Sequence, residues 1–423
     1  MSLKKNTAWN LVGAVTPMLL GLLTIPYLVR SLGVEAFGIL TLVWALIGYF
    51  TIFDFGIGRA LTQQVSTLKA APDLHEMAAV IRGGLTLIAG FGMIGGIALA
   101  ASAHALGTNW LKVAPALQQP TAHCLLVAAL GIPLTTVVTG LRGVLEGFED
   151  FRTANLLKII LGCATFGLPA LTVWLYSPSL VGVVISLVGA RLVILVAHGV
   201  AVSRHARLMG SGVRLEFAKV RPLLAFGMWM TLSNVISPLM VTADRFLVSY
   251  VLGAAMVAYY TVPSDFIVRL LVIPAALTSA LFPRFAALAR TDLGEFKRIY
   301  KRGLFVVLAT MLPLCIGLAA VSHWALGAWL GTSFAQHAWA VAALLCAGLL
   351  FNSLAQIPHA ALQASGGVRA TALVHLAESL AYFPVLYLLL ASFGLIGAAA
   401  AWVMRTLVDL LVLLLLARRQ LNV

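Results

Sequence analysis

The chain has 423 residues, of which 61% are hydrophobic and only 10% charged, with a formal net charge of +14 and a mean hydropathy of +1.01. A water-soluble domain of this size cannot cover its surface with so few polar side chains, so the composition excludes a soluble enzyme or binding module and makes lipid the main solvent. The positive charge is divided among many short segments between apolar runs, which suits membrane topology and anionic lipid head groups; no nucleic-acid partner is expected.

In chain order, apolar stretches long enough for the roughly 30 Å hydrocarbon layer fall at about 8–29, 37–58, 83–103, 122–143, 155–175, 179–202, 223–249, 256–282, 303–325, 338–361, 371–391 and 394–416. The first follows Lys4 and Lys5 with no small-residue cleavage site behind a short apolar core, so it is expected to be a retained helix and not a signal peptide. Nearly all of the 28 Lys and Arg residues fall in every second gap, including Arg59 and Arg82, Arg142 and Arg152, Arg204 to Arg221, Arg284 to Arg302, Arg369, and Arg418 with Arg419. That bias predicts an all-α, multi-pass protein of the bacterial inner membrane with about twelve transmembrane helices and both termini cytoplasmic.

Shifting the chain against itself by 220 residues aligns Trp9 with Trp229, Gly33 with Gly253, Thr41 with Thr261, Arg82 with Arg302 and Gly83 with Gly303. Two related six-helix lobes follow, residues 1–202 and 222–423, joined by a basic cytoplasmic linker over 203–221. An even number of spans per lobe gives both lobes one orientation, as in parallel repeats related by an axis along the membrane normal.

Several charges lie where lipid should be. Asp54 and Arg59 end span 2, Arg191 sits in mid span 6, Asp244 and Arg245 in span 7, Asp265 and Arg269 in span 8, Glu378 in span 11, and Arg405 and Asp409 in span 12. Each costs about 2.5–3.5 kcal/mol near the bilayer centre unless it is paired or lines a wet cavity. Spacing of four suits pairing within a helix for Asp265 with Arg269 and for Arg405 with Asp409; His375 and Glu378, three apart, suit a packing pair. Asp244 and Arg245 are neighbours, point about 100° apart and cannot share one face. Arg191 has only apolar residues at its three- and four-residue neighbours. These unpaired arginines are either cavity residues or members of interhelical salt bridges.

Prolines at 17, 26, 238, 263 and 274 each remove a backbone donor and permit bending. The pair Gly92 and Gly96 suits close helix packing. Cys124, Cys163, Cys315 and Cys346 lie inside spans without a CxxC pair, so neither a disulfide framework nor a zinc site is expected. No GxxxxGK[ST] phosphate loop and no HExxH occur, so no nucleotide, cofactor or metal is expected. The outer loops are short and nearly uncharged, which disfavours a membrane glycosyltransferase, polymerase or ligase, whose chemistry needs acids or bases beside the reacting sugar.

The hairpin of spans 1 and 2 reads Tyr27-Leu28-Val29-Arg30-Ser31-Leu32-Gly33-Val34-Glu35-Ala36-Phe37-Gly38, then Asp54-Phe55-Gly56-Ile57-Gly58-Arg59, and span 7 contains Thr242-Ala243-Asp244-Arg245-Phe246 leading to Leu252-Gly253. These stretches resemble the Wzx-type polysaccharide repeat-unit flippases of the multidrug/oligosaccharidyl-lipid/polysaccharide exporter superfamily. The resemblance implies a fold with a central cavity between two lobes and an undecaprenyl-pyrophosphate-linked oligosaccharide as substrate. Its head group would cross by alternating access for O-antigen, capsule or exopolysaccharide assembly, alongside a polysaccharide polymerase and chain-length machinery. On that reading Arg30, Asp54, Arg59, Asp244, Arg245, Asp265 and Arg269 are the cavity charges, with Arg191, Glu378 and Arg405 as secondary candidates. Arg245 and Arg269, with Arg30 at the outer rim, suit the pyrophosphate because guanidinium stays charged and offers paired donors to phosphate oxygens. Alternatives are a cation-coupled drug antiporter of the same superfamily, a lipid-linked peptidoglycan precursor flippase, and a membrane-embedded glycan polymerase or ligase.

Overall fold

Among the described residues, which in this computed structural model are 3–49, 54, 56–70, 74–206, 242–289 and 291–421, every regular element is helical. A helix satisfies all its backbone donors and acceptors internally, the condition lipid imposes on a spanning segment. The chain divides into two compact units, Met1–Leu239 and Met240–Val423. Most of the expected basic linker, the first part of span 7 and Trp229 lie outside the described residues.

The first unit contains α1 (Leu3–Leu32), α2 (Val34–Tyr49), α3 (Ile57–Ala70), α4 (Leu74–Ala105), α5 (Pro115–Gly147), α6 (Phe151–Leu175) and α7 (Leu180–Ala206). The second contains α8 (242–252), α9 (Ala254–Arg269), α10 (Val272–Leu288), α11 (Leu293–Leu330), α12 (Thr332–Ala364) and α13 (Val368–Leu421). Among the described residues eight helical stretches are long and apolar enough to cross a bilayer, and Thr16–Leu32 and Val34–Gly48 are shorter apolar helices. Large apolar side chains stand outward on both units, among them Leu23 at 72%, Trp174 at 71% and Trp324 at 74% exposure. A surface of this kind belongs against acyl chains, not water.

Two expected spans are interrupted. Span 2 is expected to run continuously over 37–58, whereas α2 stops at Tyr49 and α3 starts at Ile57. At the restart Asp54 Oδ1 accepts the Gly56 N–H at 2.8 Å and Gly56 takes a φ of 71°. This side-chain turn competes with the helical ladder and sets a new amino terminus. Span 8, read as 256–282, breaks at Leu270 and Leu271, whose N–H groups donate three residues back to Ile267 and Val268 at 3.1 Å. Pro274 explains it, because it has no N–H to donate to the Leu270 carbonyl.

The second-unit helix α13 contains both of the last two expected spans. Non-helical backbone at Gly394 (φ 61°, ψ −141°) divides it, and the halves fold back on each other so that His375 of the first faces Asp409 of the second. The glycines aligned by the internal repeat share a local conformation. Gly33 has a φ of 85° and Gly253 a φ of 98°, each at a corner between consecutive helices where a Cβ would be strained.

Within the first unit, α4 packs on α5 through the expected glycine pair. A Cβ on Gly92 would collide with Thr136 Oγ1 and lie 2.9 Å from Pro133 Cα, and one on Gly96 would lie 2.9 Å from the Ala129 carbonyl oxygen. On the other flank of α5, α3 is tied by hydroxyls: Thr62 donates to the Gly143 carbonyl at 3.0 Å and Ser66 to that of Gly147 at 3.3 Å. Ile57, Leu61 and Val65 of α3, Ile81 and Ile88 of α4, and Leu141, Val144 and Leu145 of α5 form one buried cluster. Three of the four cysteines are buried and all are free, with Cys163 half-buried.

Candidate functional site

The charged residues of the second unit meet in an interhelical network. Asp244 of α8 is 3% exposed. Its Oδ1 accepts the Arg245 backbone N–H at 2.8 Å, and its Oδ2 accepts the Tyr260 hydroxyl of α9 at 2.6 Å. The Arg245 side chain leaves the helix on another face and forms an ion pair from Nη2 to Asp265 Oδ1, with Nη1 3.5 Å from Oδ2. Two adjacent residues of α8 thus hold two positions of α9, as their roughly 100° divergence requires. Asp265, expected to pair with Arg269 along its own helix, has Arg245 of α8 as an interhelical partner.

From α13, the Arg405 guanidinium lies over the Tyr382 ring at 5.5 Å from its centre and within electrostatic reach of both Asp244 and Glu378. Asp409 Oδ1 is 3.8 Å from His375 Nε2, and Glu378 adjoins Asp409. Arg405 and Asp409, four apart on one helix, also make contacts that cross the hairpin, to Tyr382 and to His375. Polar groups that lack a charge partner bond their own helix, as with Ser353 donating to the Leu349 carbonyl at 2.6 Å and Thr406 to that of Trp402 at 3.1 Å.

The first unit's candidates stand apart from this network in kind. Arg30 and Arg59 are exposed, and Asp54 caps the turn into α3. Arg191 is 6% exposed. Its Nη1 donates to the Leu187 carbonyl at 2.8 Å, its Nε has no partner, and no carboxylate among the described residues pairs with it. A buried cation of this kind costs stability unless it has a ligand. Arg191→Met, similar in length and apolar, is therefore expected to match or exceed wild-type thermal stability in detergent, by up to about 4 kcal/mol. A drop in melting temperature would contradict that reading.

Residues 3–289 match the family model described as "Polysaccharide biosynthesis protein". Over its whole length the chain is 34% identical to the "Putative O-antigen transporter" of Shigella flexneri, covering 99% of that protein. The chain belongs to the polysaccharide biosynthesis protein family. Another family relative, the "Lipopolysaccharide biosynthesis protein WzxC" of Escherichia coli (strain K12), is 23% identical over 76% of this chain and 63% of its own length. Among solved structures, an inward-facing multidrug resistance MATE family transporter of the MOP superfamily superposes with a TM-score of 0.81 at 14% identity, over 97% of this chain and 98% of that one. The lipid II flippase MurJ in an inward closed conformation gives 0.74 at 13% identity, over 97% and 87%. The family member described here therefore has the helical fold of that transporter superfamily.

Sequence reasoning did not single out Tyr260 or Tyr382 as members of the polar network. Both count as apolar in a hydropathy window, and only the placement of their hydroxyl and ring beside Asp244 and Arg405 reveals them.

Proposed function

We propose that the protein flips undecaprenyl-pyrophosphate-linked oligosaccharide repeat units from the inner to the outer leaflet of the bacterial cytoplasmic membrane by alternating access, without making or breaking a bond. Full-length likeness to the O-antigen transporter carries the reading. The reading is supported by a partly buried network of guanidiniums and carboxylates within apolar helices, an expensive arrangement that suits a pathway for a polar head group. The count of twelve spans, the cytoplasmic termini and delivery of the flipped unit to a polymerase with its chain-length machinery are part of the same proposal.

Arg245, with Arg269 and Arg30, supplies positive charge for the pyrophosphate or for acidic sugars. Asp265 occupies the Arg245 fork, so an anionic head group must compete with that carboxylate. Asp265→Asn removes the competing charge and retains the shape. Binding of an undecaprenyl-pyrophosphate oligosaccharide by this variant is expected to tighten by about tenfold, or about 1.4 kcal/mol. Unchanged or weaker binding in a titration would dissociate Arg245 from the anion.

The drive needs no nucleotide. Moving one negative charge outward across a cytoplasm-negative membrane is favourable by about 2.3 kcal/mol per 100 mV. The function is tested by expression in a bacterial strain deleted for its own O-antigen flippase, with the lipopolysaccharide ladder as readout. Restoration of long-chain O-antigen supports the proposal. Raised resistance to cationic drugs without a ladder would favour the antiporter alternative.

A further inference from the structure

The carboxyls of Glu378 and Asp409 and the imidazole of His375 converge where the two halves of α13 face each other. Each offers one ligand atom, all lie within 4.8 Å of one another, and all three residues are half-buried. Glu378 Oε1 and Asp409 Oδ1 are buried without a hydrogen-bond partner. The two carboxyls also lie within hydrogen-bond reach of each other, and each unpartnered oxygen leaves a desolvation cost that a cation between them removes.

Glu378 and Asp409 bring two carboxyls to one point, and a cation between them takes both as ligands. The imidazole adds a ligand that discriminates against Na⁺, Mg²⁺ and Ca²⁺, which take oxygen ligands, and favours a first-row transition ion. His375 and Glu378, three residues apart on one helix face, have the spacing of the Glu-x-x-His pair of carboxylate-bridged metal sites in helical bundles, in the opposite order. The His359 ring of α12 packs on His375 at 5.1 Å, and Gln363 Nε2 donates to His359 Nε2 at 3.2 Å, which engages that nitrogen.

We propose that His375, Glu378 and Asp409 form a binding site for a divalent transition-metal ion of the Zn²⁺ type, which clasps the two halves of α13 across the Gly394 bend. A tetrahedral Zn²⁺ with bonds of about 2.0–2.1 Å sets its ligand atoms closer together than they stand here. Small side-chain rotations bring them in and leave one position for water. The clasp is separate from head-group binding at Arg245 and stands whether or not the protein flips a lipid-linked sugar.

The test uses the full chain in lipid nanodiscs, stripped with chelator and titrated with Zn²⁺ alone by calorimetry, with melting temperature as a second readout. One Zn²⁺ binds per chain and raises the melting temperature to a plateau. Asp409→Asn and His375→Ala each weaken binding at least tenfold, whereas His104→Ala, which removes an exposed imidazole elsewhere, changes nothing. On the unmutated chain, Mn²⁺ gives a bound electron-paramagnetic-resonance spectrum that Zn²⁺ displaces, a readout independent of any variant's folding. Absence of Zn²⁺ binding, equal binding by wild type and the ligand variants, or stabilisation by Na⁺ with none by Zn²⁺ overturns the proposal.

Discussion

Arg245→Ala is expected to insert into the membrane at wild-type levels and to lose flipping to the background of empty liposomes. Its side chain, 11% exposed, is the ion-pair partner of Asp265 and lies beside the buried Asp244. Removing one member of such a pair leaves its partners uncompensated and costs about 3–5 kcal/mol where the pair is fully buried, and less here because Asp265 is 38% exposed. Loss of activity in the single variant therefore mixes damage to the fold with loss of the substrate's anchor. The double variant Arg245→Ala with Asp265→Ala separates them. It removes both charges, so its melting temperature is expected to recover most of the deficit. Its flipping is expected to stay at background, because nothing replaces the fork that grips a phosphate. Wild-type flipping by the double variant would make the pair a structural element only.

Gly92→Leu has the other large expected effect, on folding and not on transport. The α4 and α5 backbones approach so closely at Gly92 and Gly96 that even a Cβ meets backbone atoms of Pro133 and Ala129. Neither a rotamer change nor a small shift of a flexible side chain relieves that contact. Overpacking at ordinary core sites costs about 1–3 kcal/mol; here the helices must separate and the buried cluster beneath them opens, so a severalfold fall in monodisperse protein on size-exclusion chromatography is expected. Gly90→Leu is the control, since a Cβ there meets nothing within 4 Å. Equal yields from the two variants would show that the close approach does not hold the unit together.

The helical class was legible because lipid imposes it: long apolar runs leave the backbone no other partners. The Gly92 and Gly96 contact and the matched corners at Gly33 and Gly253 were also readable, as spacing and as a repeat. Hydropathy averages over a window, and so it passed over the breaks at Asp54 and at Leu270, although Pro274 and the Asp-Phe-Gly turn were visible. Within the candidate site, the chain showed that Asp244 and Arg245 could not serve each other. It could not show that Tyr260 and Asp265 would serve them, because partner choice across helices depends on how α8 and α9 pack. His375 and Glu378 were recognisable as one face of a helix; their third companion, Asp409, arrives only because the chain bends at Gly394.

Transfer of a radiolabelled undecaprenyl-pyrophosphate oligosaccharide across proteoliposomes holding the purified protein, with an imposed potential and no nucleotide, tests the central claim most directly. Protein-dependent transfer that grows with the potential and is lost in Arg245→Ala with Asp265→Ala is the expected result. A folded protein that moves none of several lipid-linked oligosaccharides at any potential would contradict it.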